Sequence, residues 1–143
     1  MEPLEARIRA SFDRQTFMQH LGAQLARVVP GCVEITLQRD QRLLQQHGFL
    51  HAGVVNAMLD SACGYAALTV MEDDAAVLSV EFKTNLVAPA AGEHFMARGT
   101  VLRAGRTLVV CRGDAFVMDA DPPRLVAAMQ CTMMTVRGQE LKD

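Results

Sequence analysis

The residue that first suggests chemistry is Asp60, a single charge in an apolar stretch. From Ala52 to Met71 the chain reads AGVVNAMLDSACGYAALTVM, and Asp60 is the only charged residue between His51 and Glu72. Burying an unpaired carboxylate costs several kcal/mol, so we expect the fold to compensate for it. Either Asp60 lies at a subunit interface or reaches solvent, or its pKa is tuned for work as a base or nucleophile. The residues alone leave both alternatives open.

The apolar stretch is helical by its length and its Ala, Leu and Met content, and we predict a central helix over residues 51–71. Asn56 and Gly64 fall on the same face as Asp60, one turn before and one turn after it. Twenty apolar residues could cross a bilayer. The polar interruptions, and the globular pattern of the remaining chain, favour instead a buried helix wrapped by a sheet, with no membrane partner.

The start of this helix, His47-Gly48-Phe49-Leu50-His51-Ala52-Gly53, is the second candidate. A helix start offers free N–H groups and a positive dipole end, which can hold a developing oxyanion. Every helix has such an end, so this signal is weak by itself. His51 and Asp60 are nine residues apart, about 13 Å along a helix. A second subunit could bring its carboxylate to the first subunit's helix start, which predicts a dimer with composite sites.

The remaining chain predicts an α+β fold in one domain, residues 1–143. We expect a helical N-terminal segment over residues 1–20, two short strands, polar irregular chain over 38–50, and four antiparallel strands between 76 and 137. Residues 76–86 alternate, with two sets of side chains on opposite faces: Leu78, Val80, Phe82 and Leu86 on one, and Ser79, Glu81, Lys83 and Asn85 on the other. One curved sheet around a single helix is the simplest packing.

Composition excludes several classes of function. The formal net charge is -2 and there are six Phe, one Tyr and no Trp, which argues against a nucleic-acid partner. The four cysteines are far apart and form no CxxC pair, so we expect reduced thiols and neither a zinc site nor a disulfide framework. The first ten residues, MEPLEARIRA, contain no apolar signal region. We therefore expect a cytoplasmic protein.

The stretch QQHGFLHAGVVNAMLDSACGYAA resembles the signature of hotdog-fold acyl-CoA thioesterases of the phenylacetate-pathway (PaaI-like) type. The segments SVEFKTNLVAPAAGE, RAGRTLVV and LVAAMQCTMM are also similar to that family's strands, so the resemblance covers roughly residues 16 to 137. It implies a hotdog fold, an antiparallel curved sheet wrapped around a long central helix. It implies hydrolysis of an acyl-CoA to free acid and coenzyme A, without a metal or redox cofactor. It also implies a homodimer or a dimer-of-dimers tetramer.

The resemblance assigns roles to residues around the helix start. Asp60 falls where these relatives carry the catalytic acid, which acts as general base on water or as a nucleophile forming an acyl anhydride. His51 falls on the motif histidine, and Ala52 and Gly53 fall on its two glycines; the amide at the first of them polarises the thioester carbonyl in relatives. Two further positions belong to this set: Gln45, where relatives carry Asn, and Ser79, which matches a Ser or Thr that helps to position water.

Coenzyme A needs cations for its phosphates. Arg103 and Arg106 flank Gly105 in a short hairpin, and the resemblance, which puts Gly-Arg or Gly-Lys there, favours Arg106 among the candidate cations. Lys83 lies on a nearby strand, although a solvated surface charge is the simpler interpretation. We count Asn56 with these substrate-contact residues.

Three rival functions remain open. The first is a non-catalytic acyl-CoA-binding protein on the same fold, which would not need Asp60. The second is a hotdog dehydratase or hydratase, in which His51 and Asp60 would transfer protons as a pair. The third is a purely structural oligomer.

Overall fold

A computed structural model describes residues 2–138, 141 and 143. Six strands form one antiparallel sheet in the order β1-β2-β4-β5-β6-β3. Their bounds are β1 Gln24–Val29, β2 Cys32–Gln38, β3 Ala76–Leu86, β4 His94–Ala104, β5 Leu108–Val117 and β6 Arg124–Val136. Helices α1 and α2 cover Pro3–Phe12 and Thr16–Leu21, and the central helix α3 covers Ala52–Leu68. Because the curved sheet wraps α3, which contacts β2 to β6, the predicted α+β hotdog fold is confirmed.

The N-terminal segment is two helices, not the single helical stretch expected over residues 1–20. The chain leaves the helical path at residues 13–15 before α2 begins. In one continuous helix Leu21 would point about 140° away from Ile8. The break lets α1 bury Ile8 and Phe12 while α2 buries Met18 and Leu21.

Helix α3 is shorter than predicted, because it begins after His51 and ends before Thr69. The Thr69 hydroxyl donates to the Ala66 carbonyl (2.6 Å) and accepts from the Gly31 amide (2.7 Å), which ties the end of the helix to the turn between β1 and β2. Along its length, α3 packs so closely on β4 that a Cβ at Gly99 would overlap the carbonyl of Ala62. In the described part of the chain, none of the helices is long and apolar enough to traverse a bilayer.

Strand β3 lies at the edge of the sheet and contains a β-bulge. Ser79 lies opposite Met133 and Glu81 lies opposite Thr132, so Val80 is an extra residue. An extra residue breaks the strict alternation of side chains along a strand.

The bulge corrects the predicted assignment of side chains to the two faces of this strand. Ser79 and Thr84 are five residues apart and would lie on opposite faces of a regular strand. Both nevertheless donate hydrogen bonds to side chains of α3. Ser79 therefore shares the helix-facing side with Thr84, whereas Lys83 and its alternating neighbours lie on the outer face of the sheet.

Candidate active site

Asp60 lies in the middle of α3, on the side that faces β3. The fully buried neighbours Leu59, Ala62 and Cys63 hold the helix against the sheet, whereas Asp60 is only half-buried. The Ser79 hydroxyl donates to Asp60 Oδ1 at 2.6 Å. Ser79 reaches the helix because of the bulge at Val80.

The environment of Asp60 raises the pKa of its carboxyl above the ordinary value. Burial is the main cause, since it disfavours the charged form. The hydrogen bond from Ser79 lowers this pKa, because it stabilises the carboxylate. A half-buried carboxylate with one hydroxyl donor is suited to accept a proton from a bound molecule.

A cavity of about 210 Å³ opens beside Asp60. Its walls come from α3, from the start of β3 and from residues outside both elements: Gln15, Asp60, Ser61, Gly64, Tyr65, Val77, Leu78, Ser79 and Asp143. The sequence placed Gly64 on the face of Asp60, whereas Ser61, Tyr65 and Gln15 were not connected with this site. Proximity to Asp60 along the helix could have indicated Ser61 and Tyr65, but no local signal connects Gln15 to this site.

The start of α3 is capped by His51. Its Nδ1 accepts a hydrogen bond from the Gly53 amide at 2.8 Å, which requires the proton of a neutral ring to be on Nε2. Gly53 gives room for this cap, since a Cβ there would lie 3.0 Å from the His51 ring nitrogen. Ala52, the first residue of the helix, lines a second cavity of about 400 Å³ together with Gln45 and the end of β3.

Two predicted residues near this helix start make hydrogen bonds within the chain. The Gln45 side-chain oxygen accepts from the amides of His47 and Phe49 and so closes the loop before the helix. Asn56 donates to the Ala52 carbonyl (2.9 Å) and accepts from Thr84 Oγ1 (2.6 Å), which ties α3 to β3.

The predicted cations lie away from Asp60. Arg103, Gly105 and Arg106 are exposed on the hairpin between β4 and β5. The Arg106 carbonyl accepts a hydrogen bond from Arg137 Nη2 at 2.6 Å, and the pair borders a small cavity at the far end of α3. Lys83 lies on the outer face of the sheet, opposite the face that packs on α3.

The structure thus brings the predicted residues into three groups. Asp60 and Ser79 form one, the loop and helix start with Asn56 form the second, and the hairpin arginines form the third. Across residues 2–138, 141 and 143 there is no group of three or more His, Cys, Asp or Glu side chains that could hold a metal ion.

Comparison with known proteins shows that this chain is similar to thioesterases. Residues 47–121 match the thioesterase superfamily. A solved thioesterase family protein from Silicibacter pomeroyi is 47% identical, with a TM-score of 0.91 over 94% of this chain and 99% of that chain.

Two more distant structures share the fold. A thioesterase from Haemophilus influenzae is 22% identical, with a TM-score of 0.83 over 96% of this chain and 92% of that one. The PaaI protein from the phenylacetic acid degradation operon of E. coli is 18% identical, with a TM-score of 0.85 over 94% of each chain.

Proposed function

Because the chain belongs to the thioesterase superfamily, we propose that it hydrolyses an acyl-CoA thioester to the free acid and coenzyme A, with Asp60 as the catalytic carboxylate. The observation that carries this proposal is the environment of Asp60. Its carboxylate is half-buried, touches the hydroxyl of Ser79 and borders an open cavity. A carboxylate that served only the fold would be expected to have more compensating partners.

In the general-base route, Asp60 removes a proton from a water molecule. The water oxygen then forms a bond to the thioester carbonyl carbon, the carbon–sulfur bond breaks, and the proton from Asp60 is transferred to the departing sulfur. In the nucleophilic route, the carboxylate itself attacks the thioester carbonyl carbon, the carbon–sulfur bond breaks, and coenzyme A leaves as its thiolate, which takes up a proton from solvent. Water then hydrolyses the resulting acyl anhydride to the free acid and restores the Asp60 carboxylate. Ser79 positions the carboxylate in both routes.

The charge that develops on the carbonyl oxygen needs hydrogen-bond donors. The Ala52 amide at the start of α3 is suited to this role, because the first N–H groups of a helix have no partner within the helix. The His51 ring supports this arrangement, since it binds the neighbouring Gly53 amide and fixes the first turn.

Within one chain, Asp60 and Ala52 are eight residues apart on one helix, about 12 Å. We propose that a dimer brings them together through β3. Strand β3 is an edge strand, and several apolar side chains on it and just beyond it are about half exposed: Val80 57%, Phe82 46%, Leu86 55% and Val87 56%. An exposed apolar edge of this kind is a template for pairing with another chain.

The direction of β3 favours a shared site. Asp60, in the middle of α3, lies beside Ser79, whereas the helix start borders the same cavity as Leu86 and Val87. Ser79 and Leu86 are about 23 Å apart along the strand. Antiparallel pairing of two copies about a two-fold axis places the early part of one β3 opposite the late part of the other. Asp60 then approaches the partner's helix start. Association of two such dimers into a tetramer is a further expectation from the resemblance.

We assign the phosphates of coenzyme A to the exposed hairpin, with Arg106 and Arg103 as the cations. The Arg106 backbone is held by Arg137, which leaves its guanidinium on the surface for a ligand.

The test is a thiol-release assay on a panel of acyl-CoA esters. We expect Asp60→Asn to abolish turnover while the protein stays folded, because the amide cannot take a proton from water. Retained turnover in this variant would remove Asp60 from the catalytic role.

A complementation experiment tests the shared site. Ala52→Pro removes the proposed donor without breaking the helix, because proline is tolerated in the first turn and His51 already has the extended conformation (φ -60°, ψ 138°) that precedes proline. Each single variant is expected to be inactive. An equal mixture, unfolded and refolded together, is expected to recover about a quarter of wild-type activity, because half of the dimers contain one intact site. No recovery on mixing contradicts the shared arrangement.

A further inference from the structure

We infer that Arg137 is a positioning residue of the coenzyme A site: it holds the hairpin between β4 and β5 in the conformation in which Arg106 meets the phosphates. The inference rests on the proposed function, which assigns the phosphates to this hairpin. It adds a residue to which the resemblance gives no role, because Arg137 follows the last strand and is 31 residues away from Arg106 along the chain.

The Arg137 side chain joins the hairpin to the loop after α3. Its Nη2 donates to the Arg106 carbonyl at 2.6 Å. Its Nε and Nη2 also contact the two carboxylate oxygens of Glu72, at 3.1 and 3.2 Å. A planar guanidinium that meets a carboxylate with two nitrogens is fixed in direction as well as in distance. Glu72 therefore directs Arg137 toward the hairpin.

The hairpin is closed on both sides of Arg106. The Gly105 amide donates to the Leu108 carbonyl at 2.8 Å, and the Thr107 carbonyl accepts a hydrogen bond of 2.8 Å from a β6 amide. Arg106 lies between these two bonds, and among the residues that the structure describes Arg137 is the one that binds its backbone. Loss of Arg137 therefore releases the Arg106 peptide while the rest of the hairpin stays closed.

The two arginines differ in their charge partners. Arg137 is paired with Glu72, and its hydrogen bond lowers the pKa of that carboxyl because it stabilises the carboxylate. No carboxylate in the described part of the chain lies within ion-pair distance of Arg106. The Arg106 guanidinium is thus available to a phosphate, whereas the charge of Arg137 is already compensated.

The cavity at the far end of α3 supports this division of roles. Its volume is about 180 Å³, and Glu72, Arg106 and Arg137 all line it. A phosphate placed between the two arginines would face the Glu72 carboxylate and be repelled by it. The phosphates are therefore expected on the outer side of the hairpin, at Arg106, with Arg137 behind it.

Positioning of this kind acts on the affinity for the ligand. A ligand that binds a mobile side chain must order it, and the usual cost of ordering one side chain corresponds to about 2- to 10-fold in Kd. Arg137 removes this cost by ordering the hairpin beforehand. The side chains of Arg137 and Glu72 are 40% and 57% exposed, and exposed ion pairs add little to the stability of a fold, so Arg137→Ala is expected to stay folded.

The experiment is a double-mutant cycle on the Kd of coenzyme A, the product thiol of the proposed reaction, measured by calorimetry. Arg106→Ala is expected to weaken binding about tenfold, and Arg137→Ala about 2- to 10-fold. The double variant is expected to bind no more weakly than Arg106→Ala, because no cation is left to position. Arg137→Lys, which keeps a donor for the Arg106 carbonyl, is expected to restore part of the affinity. Arg112→Ala, which removes a guanidinium held by Asp114, is the control with wild-type Kd.

A second measurement distinguishes positioning from damage to the fold. The same variants are assayed on the acyl-CoA that the wild type hydrolyses fastest and on the N-acetylcysteamine thioester of the same acid. Arg137→Ala is expected to lower kcat/KM for the CoA ester relative to the thioester without a nucleotide. A general loss of structure lowers both values equally and contradicts the positioning role.

The outcomes separate this role from the proposed function. If the two single effects multiply in the double variant, Arg137 contacts the ligand itself and the positioning role is overturned. Wild-type affinity in Arg137→Ala beside weak binding in Arg106→Ala overturns it as well, and both results leave the thioesterase proposal standing.

Two further results concern the premise. Coenzyme A binding that is absent in the wild type, or that Arg106→Ala does not weaken, overturns the phosphate site on the hairpin and the role of Arg137 with it. A wild type that binds coenzyme A through Arg106 but hydrolyses no ester overturns the thioesterase proposal, and the role of Arg137 in binding stands.

Discussion

Removal of the Ser79 hydroxyl tests whether Asp60 acts as a base, because the two groups share one short hydrogen bond. In Ser79→Ala the carboxylate keeps its burial and loses the donor at 2.6 Å. Burial raises the pKa of Asp60 and this hydrogen bond lowers it, so the variant has a still higher pKa.

The size of the shift follows from the strength of the bond. A hydrogen bond to a charged group contributes about 1.5–3 kcal/mol, and one pKa unit corresponds to about 1.4 kcal/mol. Since Asp60 is only half-buried, solvent replaces part of the lost interaction, and the lower end applies. We therefore expect a rise of about one pKa unit.

The assay is the pH profile of kcat/KM, measured by thiol release. A base must be deprotonated, so activity falls on the acid side as the pH drops through its pKa. In Ser79→Ala this fall is expected about one pH unit higher than in the wild type. Ser79→Thr, which keeps a hydroxyl, is the matched control and is expected to restore the wild-type profile. An acid limb that does not move in Ser79→Ala refutes the assignment of Asp60 as the titrating base.

Three further predictions follow from the same geometry. Since burial raises the pKa of Asp60 above its ordinary 3.8, the folded chain binds the proton more tightly than the unfolded chain, and stability falls as the pH rises from 3.8 through the folded-state pKa. The melting temperature of Asp60→Asn is therefore expected above that of the wild type at neutral pH, and the difference is expected to vanish well below pH 3.8. Arg106→Ala is expected to raise KM for CoA esters about tenfold and to leave KM for an N-acetylcysteamine thioester unchanged. Arg112→Ala, which removes a guanidinium held by Asp114, is the control. Equal effects of Arg106→Ala on the two kinds of substrate refute the nucleotide contact. Val80→Lys on the β3 edge is expected to sediment as a monomer and to show no thiol release. Phe17→Lys on α2, where the side chain has the same 57% exposure, is the control and is expected to change neither the sedimentation nor the activity. A fully dimeric Val80→Lys variant argues against pairing through β3.

Much of the fold was predictable because its signals are local. The apolar run around Asp60 identified α3, and the period-two stretches with short turns identified the strands from Ala76 onward and their antiparallel pairing. The end of α3 at Leu68 was less predictable, because Thr69 and its contact with Gly31 depend on a turn distant in sequence. The break between α1 and α2 has the same origin, since two helices bury different side chains against one core.

Some residues of the candidate site were also predictable from local signals, and others were not. A lone carboxylate in an apolar helix is conspicuous in any sequence, whereas the helix start is a weak signal by itself and received its roles from the resemblance. The partner of that carboxylate was less secure: Ser79 was expected on one face with Glu81 and Lys83, and only the extra residue at Val80 turns Ser79 toward the helix and Lys83 away from it. Bulges arise from the register between two strands, which no single segment encodes.

The sequence by itself determined the fold class, the central helix and the residue in it on which a functional proposal rests, because hydrophobic periodicity and the cost of a buried charge act within one segment of chain. Only the tertiary structure decided what surrounds that residue. Gln15 reaches Ser61 and Tyr65 from a part of the chain some fifty residues earlier, and the size of the cavity between them depends on how α2, α3 and β3 pack. Such contacts are set by the balance of burial and hydrogen bonding over the whole molecule.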